Sequence, residues 1–318
     1  MKILSFQHGE NIRLGAWHGD WIVDLQRAYR HSLAEQYPLK AAEIAACWLP
    51  GDMTQFLRGG EDAMRAAREA LAFVRDQLKT EEGMARIRAR GVLRQLEQVR
   101  LLPTVPQPGK IFCIGKNYAD HAAELGGEVP SSPEIFVRFA STLIPNGAPI
   151  IKPRETDMWD YEAELAVIIG KGGRRIRREN ALSHVAGYSC FNDVSARDFQ
   201  KRITQWTAGK NFDSSGPFGP YLVTADEVGD PQALDIQMIV SGEVLQHANT
   251  RLMIYPIDFL IAHLSEFITL QPGDVIMTGT PGGVGMGRKP QRWLRAGDVV
   301  QVVIEKVGEL KNAVVNEQ

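Results

Sequence analysis

One stretch constrains this chain more than any other: Asp160-Tyr-Glu-Ala-Glu-Leu-Ala-Val-Ile-Ile, an apolar, β-rich run headed by carboxylates. The residues from Leu165 to Ile169 read as a strand. Glu162 and Glu164, at i and i+2 near its start, then share one face, about 7 Å apart along the backbone. Two like charges so placed repel unless water solvates them or a cation lies between them. A second strand-like run, Val185 to Phe191, is followed by Asp193, which can complete a three-oxygen site. Carboxylates without His or Cys suit a hard divalent ion such as Mg²⁺, Mn²⁺ or Ca²⁺ better than Zn²⁺. Three ligands also leave coordination positions open. The plain alternative is an exposed strand face with a solvated Glu pair.

The chain can bury a sizeable core, with 318 residues of which 44% are hydrophobic. A net charge of −2 gives no support for a nucleic-acid partner. Its three cysteines, Cys47, Cys113 and Cys190, are far apart and odd in number, as in a reduced cytoplasmic protein without a disulfide frame. No apolar run reaches the length of a membrane span, and Met1-Lys-Ile-Leu-Ser-Phe-Gln-His is too short for a signal peptide. The expectation is a cytoplasmic protein without a membrane or nucleic-acid partner.

Two regions follow from pattern. Residues 1–102 read as a small α+β module: a β-meander over Lys2 to Phe6, Ile12 to Trp17 and Trp21 to Leu25, then a helix with Ala63, Met64, Ala67, Ala70, Leu71, Val74 and Leu78 on one side. Pro103, Pro106 and Pro108 stiffen a connector. Residues 103–318 are mostly strand, with one helix expected over Pro256 to Phe267, so the fold class is α+β rather than alternating βαβ.

Two segments invite other functions. The basic run Lys171-Gly-Gly-Arg-Arg-Ile-Arg-Arg reads as a solvated loop in a nearly neutral chain. Gly279-Thr-Pro-Gly-Gly-Val-Gly-Met-Gly is interrupted by Pro281 and followed by Arg288-Lys-Pro-Gln-Arg, so it does not open directly into a helix as a dinucleotide loop must. Its successive N–H groups suit a carboxylate. Upstream, His121 and Glu124 share a helical face at i and i+3, a pairing that can make the imidazole a general base or be a simple surface contact. Lys210, in Gly209-Lys-Asn-Phe-Asp, can stabilise charge developing on a substrate oxygen or be an ordinary exposed lysine.

Together these segments resemble the fumarylacetoacetate hydrolase superfamily. The matching motifs are Gly-Lys-Asn-Tyr-Ala-Asp-His from Gly115, Asp160-Tyr-Glu-Ala-Glu-Leu-Ala, Asn192-Asp-Val-Ser-Ala-Arg-Asp-Phe-Gln, Gly209-Lys-Asn-Phe-Asp and Met277-Thr-Gly-Thr-Pro-Gly-Gly-Val-Gly. The resemblance implies a mixed β-roll or β-sandwich catalytic domain, paired into a homodimer, with a more variable N-terminal extension. It implies a metal, Mg²⁺ or Mn²⁺ with Ca²⁺ as a further choice, held by Glu162, Glu164 and Asp193. His121 and Glu124 would be a water-activating dyad and Lys210 the oxyanion partner. Arg197, Gln200, Thr280 and Gly279 would contact the substrate, although an ion pair between Arg197 and Asp193 is the structural alternative for that arginine. Phe136-Val-Arg-Phe departs from the lysine and proline that many relatives carry.

The implied chemistry acts on a 2-oxo or 2,4-dioxo acid. The dyad favours hydrolysis of a C–C bond in an acylpyruvate or fumarylpyruvate. Decarboxylation, isomerisation and hydration or lyase chemistry on a 2-oxo acid such as oxaloacetate, or on an aromatic-catabolic intermediate, share the same enolate logic. A non-enzymatic carboxylate-binding protein is the remote alternative; it needs no general base.

Overall fold

The computed structural model describes residues 1–124, 126 and 130–318. Its organising element is the strand Ala163–Ile169, all seven residues of which are buried. A strand with no exposed face needs partners on both edges and cover on both sides. Antiparallel pairing with Val185–Asn192 and Val275–Met277 supplies the edges. From there a mixed twelve-stranded sheet spreads both ways. One direction runs through Ile111–Gly115, parallel to Val275–Met277, to Glu134–Val137. The other runs through Gly216–Thr224 to Lys2–His8, Asn11–His18, Trp21–Asp24 and Leu93–Arg94.

Side chains alternate across this sheet with a period of two. Leu165, Val167 and Ile169 join a core with Ile236, Val302, Leu260 and Leu264. That core lies against a five-stranded sheet, ordered Glu243–Asn249, Asp235–Val240, Val299–Ile304, Gly308–Asn316 and Ile150–Lys152, and against the helix Ile257–Phe267. Ala166 and Ile168 point the other way, into a core with Leu25, Ala45, Ala67, Leu71 and Val74 from the N-terminal helices. The α+β class stands, and the N-terminal helices collect on one face of the large sheet while Ile257–Phe267 lies on the other. Glu162 and Glu164 share the parity of Ala166 and Ile168, which places the carboxylates at one end of the helix-covered face.

The meander and the helix Gly60–Gln77 lie where the periodicity puts them. Hydrogen bonding does not stop at the 102/103 division, because Lys2 and Ile3 pair with Val223 and Leu222 in the same sheet. Two strands without a clear sequence signal, Glu243–Asn249 and Gly308–Asn316, belong to the five-stranded sheet. The second of these alternates exposed Glu309 and Lys311 with buried Leu310 and Asn312, so its apolar content is low. The basic run serves the helix Ile257–Phe267: Arg174 donates to the carbonyls of Ser265 and Glu266 at its C-terminal end, and Arg178 pairs with Asp258. Among the described residues no helix is long and apolar enough to cross a membrane. All three cysteines are free, Cys47 exposed and the others buried.

Candidate active site

Strand pairing assembles the carboxylates. Ala163 lies opposite Asn192, so the residues flanking that pair, Glu162 and Asp193, come together as the two strands end. Two hydrogen bonds lock the corner: Asp193 N–H donates to the Glu162 carbonyl (2.9 Å), and Glu162 N–H donates to Asn192 Oδ1 (3.0 Å). Glu164 sits two residues further along the same face. One oxygen from each of Glu162, Glu164 and Asp193 lies within 4.8 Å of the others, and all three side chains are buried. The solvated-pair alternative therefore fails, and an acidic triad fit to hold a divalent cation is what the fold builds.

Burying three carboxylates in one place is costly unless cations accompany them. Lys210, only 2% exposed, donates to Glu162 Oε2 (2.7 Å) and Asp193 Oδ2 (2.8 Å). It is not an ordinary surface lysine. Arg197 Nε donates to Asp160 Oδ2 (2.8 Å), and its guanidinium lies 2.6 Å from Glu162 Oε1. Proximity in sequence suggested Asp193 as its partner; the short helix Arg197–Gln200 instead turns the guanidinium toward Asp160 and Glu162. Asp193 takes Arg138 in its place, through Nε to Oδ1 (2.8 Å). Arg138 also donates to the Val194 carbonyl and the Ser215 hydroxyl. This buried arginine was missed as a site residue; its only sequence signal was a charge inside the apolar run Phe136-Val-Arg-Phe.

The three acids are left unequal. Burial pushes the Glu162 carboxyl up, but Arg197, Lys210 and His121 outweigh it and hold the group down at about 2. Glu164 has a single described hydrogen bond, from Gly279 N–H (2.9 Å). Burial first, then Asp193 and Glu162, push its carboxyl well above the usual range. Lys210 is raised in turn, since Asp193 and Glu162 overcome the burial that would lower it. Glu164 is thus the carboxylate short of positive charge, and a hard divalent cation coordinated by these oxygens would supply it.

The glycine-rich loop binds carboxylates, but those it holds belong to the chain. Gly279 N–H donates to Glu164, Gly283 N–H to Glu124 Oε2 (2.8 Å), and Gly285 and Met286 N–H to Asp160 (2.7 and 3.0 Å). Gly279, expected to contact substrate, has its N–H committed to a triad member. It has φ +93, and an added Cβ would lie 2.8 Å from the Ile114 carbonyl oxygen, so only glycine fits. Asn117 ties the upstream motif to this loop by donating to the carbonyls of Thr278 and Tyr255.

His121 and Glu124 do meet: Nδ1 lies 2.9 Å from Glu124 Oε1, at the end of the helix Ala119–Glu124. An ionised carboxylate only accepts, so Nδ1 carries the proton and Nε2 is the free basic nitrogen. His121 lines the same cavity as Glu162, Glu164, Arg197, Gln200, Lys210 and Thr280. The expected substrate contacts are thus brought together, with Gln200 Oε1 accepting from Arg197 and the Thr280 hydroxyl accepting from Gln246. The cavity is small, about 30 Å³. A cleft of about 530 Å³ lies elsewhere, beside Arg58, Met64 and Asp226, far larger but without the triad or the dyad. Most of the titratable groups singled out in the sequence line the smaller space. Ala119 to Val129, which with Gly126 and Gly127 as hinges reads from the sequence as a lid over the site, lies partly outside the described residues, which omit Leu125, Gly127, Glu128 and Val129.

Residues 110–315 match the family model described as fumarylacetoacetate (FAA) hydrolase, C-terminal. The chain belongs to the fumarylacetoacetate hydrolase family. Within this family it is 44% identical over 321 residues to the oxaloacetate tautomerase fahd2 of Xenopus laevis, covering 99% of this chain and 90% of that relative. Oxaloacetate tautomerase YisK of Bacillus subtilis (strain 168) is 38% identical over 301 residues, covering 92% of each chain. Among solved structures, maleylpyruvate hydrolase from Sphingobium sp. SYK-6, in complex with manganese(II) ion and pyruvate, aligns over all of both chains with a TM-score of 0.73 and 31% identity. These relatives are enzymes, and the tautomerases favour isomerisation of a 2-oxo acid over the C–C hydrolysis that the dyad suggested. The Xenopus protein is mitochondrial by name, which departs from the cytoplasmic expectation.

Proposed function

We propose that this chain is a divalent-metal-dependent tautomerase of 2-oxo acids that interconverts the keto and enol forms of oxaloacetate. The observation that carries the reading is 44% identity to an oxaloacetate tautomerase across 99% of the chain. The geometry supports it, because a basic imidazole nitrogen and a buried ammonium line one cavity beside the acidic triad.

Glu162, Glu164 and Asp193 would hold the ion, which when bound supplies Lewis-acid polarisation of the substrate's carboxylate and 2-oxo oxygens. The remaining work falls to side chains. Arg197, Gln200 and Thr280 orient the acid. His121 Nε2 takes a proton from C3 of the keto form while Glu124 holds the resulting imidazolium at Nδ1. Lys210 donates a proton to the oxygen on C2, and the two groups reset by exchange with solvent. One proton leaves carbon and one reaches oxygen, so the reaction is an isomerisation that consumes nothing.

The test follows the decay of the enol absorbance of oxaloacetate in the presence of Mn²⁺- or Mg²⁺-loaded protein. Acceleration is expected, with His121→Ala losing about a hundredfold or more, the usual scale of general-base catalysis. A wild-type rate no faster than buffer with the same metal would refute the reading. The second reading is C–C hydrolysis, favoured by the dyad beside the triad and by the resemblance to a maleylpyruvate hydrolase. Acylpyruvate cleavage that outpaces oxaloacetate tautomerisation would put it first. The homodimer is part of the proposal, and light scattering at known concentration decides it.

A further inference from the structure

The active-site cavity has two ends. Glu164, Lys210 and Thr280 are buried at the deep end, whereas Lys116, Phe136 and Trp206 are only half-buried and form the mouth. A 2-oxo acid chelated at the deep end by its carboxylate and oxo oxygens must point its other substituent at that mouth. The deep cations, Lys210 and Arg197, are paired with Glu162, Asp193 and Asp160 and serve the reacting end of the acid in the proposed reaction. Lys116 is not so committed. Its described partner is Glu134, at 3.0 Å on the rim, with side-chain exposures of 25% and 35%. A single half-exposed pair on the rim, with no second cation on Glu134 among its described contacts, is weaker than the buried pairs at the deep end.

Two further observations describe how Lys116 is held at the rim. Lys116 has φ 50, in the left-handed region that residues with a side chain seldom occupy. Its ammonium lies 5.7 Å from the centroid of Trp206, whose ring packs edge-on against Phe136 at 5.5 Å; Phe136 in turn lies 5.1 Å from the Lys210 ammonium. An aromatic wall therefore runs from the deep cation to the outer one.

We propose that Lys116 is the receptor for the far carboxylate of a four-carbon 2-oxo dicarboxylic acid, exchanging Glu134 for the ligand and selecting dicarboxylates over monocarboxylates. The proposal deepens the 2-oxo acid reading above and rests on it. Trp206 is the part of the wall that must yield. It packs against Gly115 so closely that an added Cβ there would meet the ring at 2.3 Å, and the space it closes, about 30 Å³, is too small for a four-carbon acid.

Malate and lactate test this without turnover. Both present a carboxylate and a 2-hydroxyl to the deep end, and they differ in the far carboxylate alone. Calorimetry on Mn²⁺-loaded wild-type protein should show malate binding about tenfold or more tighter than lactate, the scale of one charge-assisted hydrogen bond. In Lys116→Met the ratio should collapse toward one with lactate affinity unchanged, and Lys116→Arg should keep the preference. Unchanged lactate binding also shows that the variant folds. A preference that survives Lys116→Met, or no preference for malate in the wild type, overturns the proposal. The binding ratio does not depend on which reaction is catalysed, so a collapsed ratio without oxaloacetate tautomerisation would refute the activity and leave the receptor in place.

Discussion

Glu164 and Lys210 show how much of this site is decided by one charge at a time. In metal-free protein the Glu164 carboxyl is pushed up by burial, Asp193 and Glu162, so the folded state holds its proton over a pH range where the unfolded chain has released it. Its contribution to stability therefore falls as pH rises from about 4.3 through the raised value. Glu162 has the opposite sign: held down at about 2, it stabilises the fold above about 4.3 and loses that contribution as pH falls toward 2. A cation bound by the triad must expel the Glu164 proton. Mn²⁺ affinity should thus weaken in acid, and calorimetry in buffers of different ionisation enthalpy should show proton release. Buffer-independent heats would contradict the assignment of Glu164 as a ligand. Lys210→Met removes the ammonium shared by Glu162 and Asp193 and should destabilise metal-free protein by about 3–5 kcal/mol, as breaking a buried pair does. Saturating Mn²⁺ should restore much of the loss, so the melting-temperature gap between metal-free and metal-loaded protein should be wider in the variant. An equal gap would show that lysine and metal do not serve the same carboxylates.

At the scale of elements, the loop after Val275–Met277 is held by the acids it serves. Asp160 accepts from Gly285 N–H, Met286 N–H and Arg197 Nε, joining that loop, the short strand Trp159–Asp160 and the helix Arg197–Gln200 in one network. Asp160→Asn turns one acceptor into a donor facing donors, and should cost about 1–3 kcal/mol. Hydrogen exchange should then quicken at Gly285 and Met286 while the amides of Ala163–Ile169 keep their protection. Uniform loss of protection would mean a general weakening of the fold. The basic run Lys171 to Arg178 is likewise explained locally, since Arg174 closes the carbonyl end of the helix Ile257–Phe267.

Over the whole molecule, the N-terminal segment supplies both an edge and a face. Lys2–His8 pairs with Gly216–Thr224, and the helices after Trp21–Asp24 cover Ala166, Ile168, Phe191, Phe218 and Leu222. Removing residues 1–102 would uncover this apolar face and leave Gly216–Thr224 without that strand partner. A 103–318 fragment should therefore bind a hydrophobic dye and lack a cooperative thermal transition. A sharp melt close to that of the full chain would show that the two regions fold independently, as the proline connector suggested.

Much of the site was legible in the chain because its signals are local. The carboxylates at the head of an apolar strand, the i and i+3 spacing of His121 and Glu124, and the strand pattern through Val299–Ile304 follow from periods of 2 and 3.6 residues, which neighbours in sequence impose on one another. Local pattern could not choose partners across distance. Arg197 faces Asp160 and Glu162, Arg138 takes Asp193, and the glycine-rich loop turns its amides on Glu164, Glu124 and Asp160. Nor did composition reveal that Gly308–Asn316, with charged Glu309 and Lys311 at outward positions, belongs to a sheet. The sequence by itself determined which residues carry charge, which strands are buried and where the chain turns. Tertiary structure alone decided which charges are neutralised and by whom, because in a buried site that depends on which strand ends and loops converge, at distances of 2.6 to 3.0 Å, from residues as many as 159 positions apart.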